Sequence, residues 1–296
     1  MGTYSRLRRL KRRSQRLFHI LGVVSNRNAP PCPFSFRRCY FVVLAFAAIA
    51  GCSGHDDAGA RMSRGDAAMQ ANRYRDAIAE FSAALRADPK LARAYYGRGL
   101  ARALEGDHSG AMKDFDEALR LNPDLAAARG DRGRGFYEMG EYDKAIADFD
   151  EYVRLQPQCA FAYYSRGLAW GRKGEKRNAI ADFNTAIRID PKLAKAYQNR
   201  GVSFDLTGDH EKAIADYSEA IRLDPTAVDA IKFRGKDYVS KGEIPTAIAD
   251  FTEAIRLDPK SGLLRLERGR AYLALGDKQA ARSDFAEANR LGYKTE

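Results

Sequence analysis

The sequence predicts an all-α fold, a solenoid of about seven tandem helix-turn-helix units, and three observations carry that expectation. Pro89, Pro123, Pro157, Pro191, Pro225 and Pro259 stand 34 residues apart. Ahead of each proline runs a pattern such as AIADFDEYVRLQP or AIADYSEAIRLDP, with apolar residues at i, i+3 and i+4. A second amphipathic pattern, marked by an Arg-Gly pair, precedes it in every unit. A fixed period of this length is the mark of stacked supersecondary units.

Residues 1–52 form a leader distinct from the rest. They hold ten Lys or Arg and no acid, leaving 40 basic and 39 acidic residues in the body. The formal charge of +11 is therefore a property of the leader. A body with interspersed charges lacks the one-sided basic footprint of a nucleic-acid binder, and no nucleic-acid partner is expected. Cys32, Cys39 and Cys52 also lie in the leader, so the single body thiol, Cys159, offers no disulfide framework or zinc motif within the repeats and reads as a packing residue.

Phe41 to Ala50 reads FVVLAFAAIA, preceded by Arg37 and Arg38 and followed by Gly51 and Cys52. The run is too short to span a bilayer and has the layout of a secretory signal. Ile49-Ala50-Gly51-Cys52 resembles the bacterial lipobox. The resemblance implies cleavage before Cys52, lipidation of its thiol and, with Ser53 rather than Asp next, sorting to the outer membrane. The alternatives are an uncleaved hydrophobic segment and a cytoplasmic protein. No Met lies between Met1 and Met62, so a start nearer Arg37 would remove the first ~35 residues from the protein. Otherwise Arg8 to Arg13 belong to an extended basic n-region. Residues 53–57 are a short linker, and 58–296 are the repeats.

Seven units fit, from near Ala58 to near Thr295, the last carrying Tyr293 in place of proline. Gly65, Gly99, Gly133, Gly167, Gly201, Gly235 and Gly269 remove a side chain where the two helices of a unit approach. Ala77, Ala111, Ala145, Ala179, Ala213, Ala247 and Ala281 are expected across that contact. Phe81, Phe115, Phe149, Phe183, Tyr217, Phe251 and Phe285, with Phe136, Trp170, Phe204, Tyr238 and Tyr272, supply core bulk. Gly106, Gly140, Gly174, Gly208, Gly242 and Gly276 close the first helix through a positive φ, and each proline ends the second. The Arg64-to-Arg268 column recurs in every unit and the Asp114-to-Asp284 column in six, with Glu80 in the first. Such regular charges of both signs predict internal ion pairs rather than an anion-binding ladder.

In these motifs the chain resembles the tetratricopeptide repeat family, over about 80% of its length. The resemblance implies a right-handed superhelix whose concave face, lined by the first helix of each unit, binds proteins or extended peptides. By register, the groove positions include Tyr96, Arg134, Tyr137, Phe161, Tyr164 and Leu168, then Arg172, Lys195, Gln198, Asn199, Lys232 and Lys236, and finally Leu263, Leu266 and Leu273. Exposed aromatics beside cations suggest a ligand with apolar anchors and some acidic character; the alternative is a solvated face with scattered aromatics. Members that grip a Glu-Glu-Val-Asp tail use a Lys/Asn clamp. Gly97, Leu100, Ser165 and Leu168 stand at clamp-type positions here, so that ligand is not expected.

No phosphate loop, zinc-protease or nucleophile-elbow motif occurs, and no catalytic residue, metal ligand or cofactor is assigned. Of the four histidines, His108 and His210 take places held elsewhere by Tyr74 and Tyr142, and read as packing variants. A non-catalytic scaffold is the expectation, lipid-anchored in a bacterial envelope. The apolar end around Leu275 and Phe285 is a candidate for self-association.

Overall fold

The computed structural model describes residues 58–293, which form fourteen helices and no strand. They pair in chain order: α1 (Ala58–Gln70) with α2 (Tyr74–Ala87), α3 (Ala92–Glu105) with α4 (His108–Leu121), and α5 (Ala126–Glu138) with α6 (Tyr142–Leu155). Then come α7 (Ala160–Lys173) with α8 (Lys176–Ile189), α9 (Ala194–Asp205) with α10 (His210–Leu223), α11 (Val228–Ser240) with α12 (Ile244–Leu257), and α13 (Gly262–Leu275) with α14 (Lys278–Arg290). Odd-numbered helices also touch each other, as in α5 with α7 and α7 with α9. The first helices therefore crowd together and line the inner side of the stack.

The punctuation follows from backbone chemistry. Gly106 takes φ 95°, and its N–H and that of Asp107 return to Ala103 and Arg102 carbonyls, satisfying the end of α3. In the first unit Asn72 does the same job at φ 56°, the one described non-glycine residue with positive φ. At the other helix end, Asp88 and Asn122 are forced out of helical geometry by the following proline (φ −139° at both). Their side chains then accept the N–H groups of Lys90 and Asp124, at 2.9 and 3.1 Å. The last unit lacks the proline. There Gly292 (φ 88°) closes α14, and Tyr293 turns back onto Gly262 at the start of α13.

Packing between the paired helices corrects one expectation. The atoms facing the glycine column are ring carbons of the aromatic sixteen residues on, not the alanines. A Cβ at Gly133 would lie 2.9 Å from the Phe149 ring and one at Gly201 2.7 Å from Tyr217. The alanine column is buried at 0–2% exposure beside this contact. Phe136, Trp170, Phe204, Tyr238 and Tyr272 are half-buried rather than central. Cations cover four of these rings, including Lys173 over Trp170 at 5.5 Å.

The charged columns pair as expected. Arg98 Nε and Nη2 donate to both Asp114 oxygens at 2.9 and 2.7 Å. The two-pronged contact recurs at Arg132–Asp148, Arg166–Asp182, Arg200–Asp216, Arg234–Asp250 and Arg268–Asp284. Each arginine's remaining Nη1 reaches back to the previous unit, as Arg132 to Asp116 (2.8 Å) and Arg200 to Asn184 (2.6 Å). The ladder thus joins units as well as helices. Hydrogen bonding to the carboxylates holds these arginine pKa values above their ordinary range. Burial nevertheless lifts that of Asp216, and taking both charges of such a pair out of water offsets much of their attraction.

Candidate binding face

The inner face is assembled from the odd-numbered helices, whose side chains meet at a spacing of 35 residues. Tyr96 on α3 donates its hydroxyl to Asp131 on α5 at 3.0 Å. Arg172 at the end of α7 donates to the Tyr137 hydroxyl of α5 at 3.1 Å. Asn199 on α9 donates to the Tyr164 hydroxyl of α7 at 3.3 Å, and to the Lys195 carbonyl at 2.8 Å. Three successive pairs of units are thereby linked across the face.

Exposure separates the expected residues. Tyr164 is a correction: at 4% exposure it is a core residue, packed on Phe183, Ala179 and Ala196, and burial pushes its hydroxyl pKa up. Tyr96, Tyr137 and Phe161 are half-buried rather than exposed, with Phe161 6.0 Å from the Tyr164 ring centre. Arg134 meets Asp131 at 2.8 Å, and Lys232 meets Asp229 at 2.6 Å while covering the Phe233 ring at 4.5 Å. Lys195 and Gln198 are half-buried one turn apart on α9. Arg172 and Lys236 are exposed cations. Leu263 and Leu266 lie half-buried on α13, and Leu273 is 48% exposed. Leu275 is exposed at the end of the stack, with Phe285 half-buried against Gly269. Cys52 lies outside the described residues.

Two acids escaped the sequence reading. Asp131 is buried on the inner face, where desolvation raises its pKa against the pull of Arg134 and Tyr96. It shares a repeat position with Gly97, Ser165 and Asn199, so the register held the signal. Asp237 on α11 is buried at a position held elsewhere by Ala101, Gly135, Ala169, Ser203 and Ala271. Its partner is His210, whose Nδ1 is 3.0 Å from Asp237 Oδ1 and 3.4 Å from Asp205 Oδ1. His210 is thus a polar bridge between units, not a packing variant of tyrosine. His108 remains exposed.

Among the described residues no helix is long and apolar enough to cross a membrane. A search of curated proteins returned no match. Solved structures are similar in fold: MamA at 29% identity and TM-score 0.52, over 55% of this chain and 95% of that one. A tetratricopeptide repeat protein from Parabacteroides merdae aligns over 80% and 94% at 20% identity, TM-score 0.62. YrrB, described as a TPR protein with an unusual peptide-binding site, aligns over 60% and 91% at 19% identity, TM-score 0.52. Residues 62–126, 131–194 and 234–292 match one tetratricopeptide repeat pattern and 194–227 another, and with the helix pairs and glycine turns already described these place the chain in the tetratricopeptide repeat family.

Proposed function

We propose that the protein is a non-catalytic scaffold that holds an extended protein segment along its inner face, and that a lipid on Cys52 tethers it to a bacterial envelope. The observation that carries the binding role is the change of side chain from unit to unit at one inner-face position. Tyr96, Gln198, Lys232 and Leu266 occupy it with half-buried side chains, and Gly130 and Tyr164 with buried ones, although two residues later every unit has arginine. A purely structural stack has no use for that variety. Half-buried aromatics on α3, α5 and α7, with the cations Arg172 at the end of α7 and Lys236 on α11, suit a ligand with apolar anchors and acidic residues.

Support for the tether is the basic, apolar and small-residue succession ending at Cys52. Mass spectrometry of the mature N-terminus in membrane fractions, for wild type and Cys52→Ala, tests it. An acylated Cys52 lost in the variant upholds the tether, whereas an intact leader or a soluble chain starting near Met62 moves the partner search to the cytoplasm. The binding role is tested separately, with Arg172→Ala and Lys236→Glu as exposed probes. Tyr164→Ala is unsuitable, because it would report on the core.

A further inference from the structure

We propose that Asp205, His210 and Asp237 bind one divalent transition-metal ion of the zinc class, which staples the fifth unit to the sixth. The three side chains come from different helices: the end of α9, the first residue of α10 and the middle of α11. A donor atom from each lies within 4.8 Å of the other two. The Nδ1–oxygen separations of 3.0 and 3.4 Å bracket the ~3.3 Å ligand-to-ligand edge of a tetrahedron with ~2.0–2.1 Å metal bonds.

Proton counting points the same way. An imidazole has at most one hydrogen on Nδ1, yet two carboxylates converge on that atom. Asp237 is 2% exposed, and its Oδ2 is buried with no hydrogen-bond donor. An orphaned acceptor at that depth is destabilising, the more so when charged, unless something positive meets it. The neighbouring ammonium groups are occupied elsewhere: Lys241 lies 3.3 Å from Glu243 and 3.9 Å from Glu211, and Lys212 lies 2.6 Å from Asp209.

The repeat register argues against a packing origin. The position equivalent to Asp237 is filled elsewhere by Ala101, Gly135, Ala169, Ser203 and Ala271, so the carboxylate departs from a small-residue column where it meets His210. The His210 position itself varies, with Tyr74, His108, Tyr142 and Lys176 among its equivalents, but only His210 faces an acid at the small-residue position. One imidazole with two carboxylates, leaving room for water, is a set that zinc and its first-row neighbours accept, whereas calcium and magnesium favour oxygen ligands. Beside His210 the surface forms an open depression lined by Thr207, Gly208, Asp209, Glu211 and Lys241. The bound ion would fix α11 against α9, and with it Lys232 and Lys236 against Lys195 and Asn199.

The full chain, treated with chelator and then freed of it, is titrated with zinc chloride by calorimetry and followed by thermal melting. One ion per chain and a zinc-dependent rise in Tm are expected. Asp237→Ala and His210→Tyr adopt residues that other units already carry there. Both should keep wild-type helicity, bind zinc more than about tenfold more weakly, and lose the Tm response. Cobalt(II) should give visible d–d bands in wild type that His210→Tyr removes. Absence of saturable zinc binding overturns the proposal. So does binding that survives both substitutions, which would place zinc elsewhere in the chain, or an equal Tm response to calcium or magnesium.

Discussion

Two columns of residues, two positions apart on the same seven helices, behave in opposite ways. Arg64, Arg98, Arg132, Arg166, Arg200, Arg234 and Arg268 never vary, whereas Met62, Tyr96, Gly130, Tyr164, Gln198, Lys232 and Leu266 vary at nearly every step. The first column meets an acid sixteen residues on in each unit, because the two helices of every unit must pack in the same way. The second has no repeated partner: Gly130 and Tyr164 are buried, Tyr96 and Lys232 pair with Asp131 and Asp229, and Gln198 and Leu266 are half-buried. Sameness along this chain marks what builds the stack, and under the proposed function the changing half-buried positions are where a ligand would be met.

The largest effect should come from breaking the constant column. Arg166→Ala strands Asp182, which is 5% exposed, and leaves Asp150 without its 2.7 Å contact to the guanidinium. A loss of about 3–5 kcal/mol in a urea titration is expected, as for a buried pair deprived of one partner. An unchanged midpoint would mean that the ladder is ornamental.

Glycines sharpen the contrast at smaller scale. Gly167→Ala puts a methyl 2.8 Å from the Phe183 ring and should cost about 1–3 kcal/mol by overpacking. On the same helix Gly171 has its nearest neighbour at 3.9 Å, so Gly171→Ala should be neutral or stabilising by up to about 1 kcal/mol. Equal destabilisation by both would show that steric contact with the aromatic column does not govern the glycine pattern.

The smallest effect is a pH dependence on the varying side. Burial raises the Asp131 pKa in the folded chain above its unfolded value, despite Arg134 and Tyr96. Its contribution to stability is therefore fully present below the unfolded carboxylate range and is lost as pH rises through the folded pKa. Asp131→Asn, which mimics the protonated group, should melt above wild type at neutral pH, and the gap should close as pH falls to ~4 and below. A gap that is negative, or constant with pH, would contradict this.

The period, the helix ends and the Arg–Asp pairing were legible because each depends on local chemistry repeated seven times. Gly106 and Asn72 show how far this goes, since only the need for a positive φ unites them. Depth was not legible. The register puts Tyr96 and Tyr164 at one position, but only Tyr164 is sealed by the ring of Phe183 and its neighbours. Sequence also misjudged what faces the glycines, because the aromatic and alanine columns both lie on the second helix and only the helix approach decides between them. Asp237 was missed since it is a single acid in a column of small residues, and Asp131 since its column, with Ser63, Gly97, Ser165, Asn199, Phe233 and Glu267, has no common residue against which it stands out.

A random peptide display library, selected on the immobilised full chain, tests the central claim most directly when the affinity of an enriched peptide is measured for inner-face and outer-face variants. Enriched sequences should carry aromatic or aliphatic residues and acids. Arg172→Ala and Lys236→Glu should weaken binding about tenfold or more, and Arg120→Ala, in an exposed pair with Glu117 on α4, should leave it unchanged. Failure to enrich any peptide, or an affinity indifferent to the inner-face changes, would contradict the account.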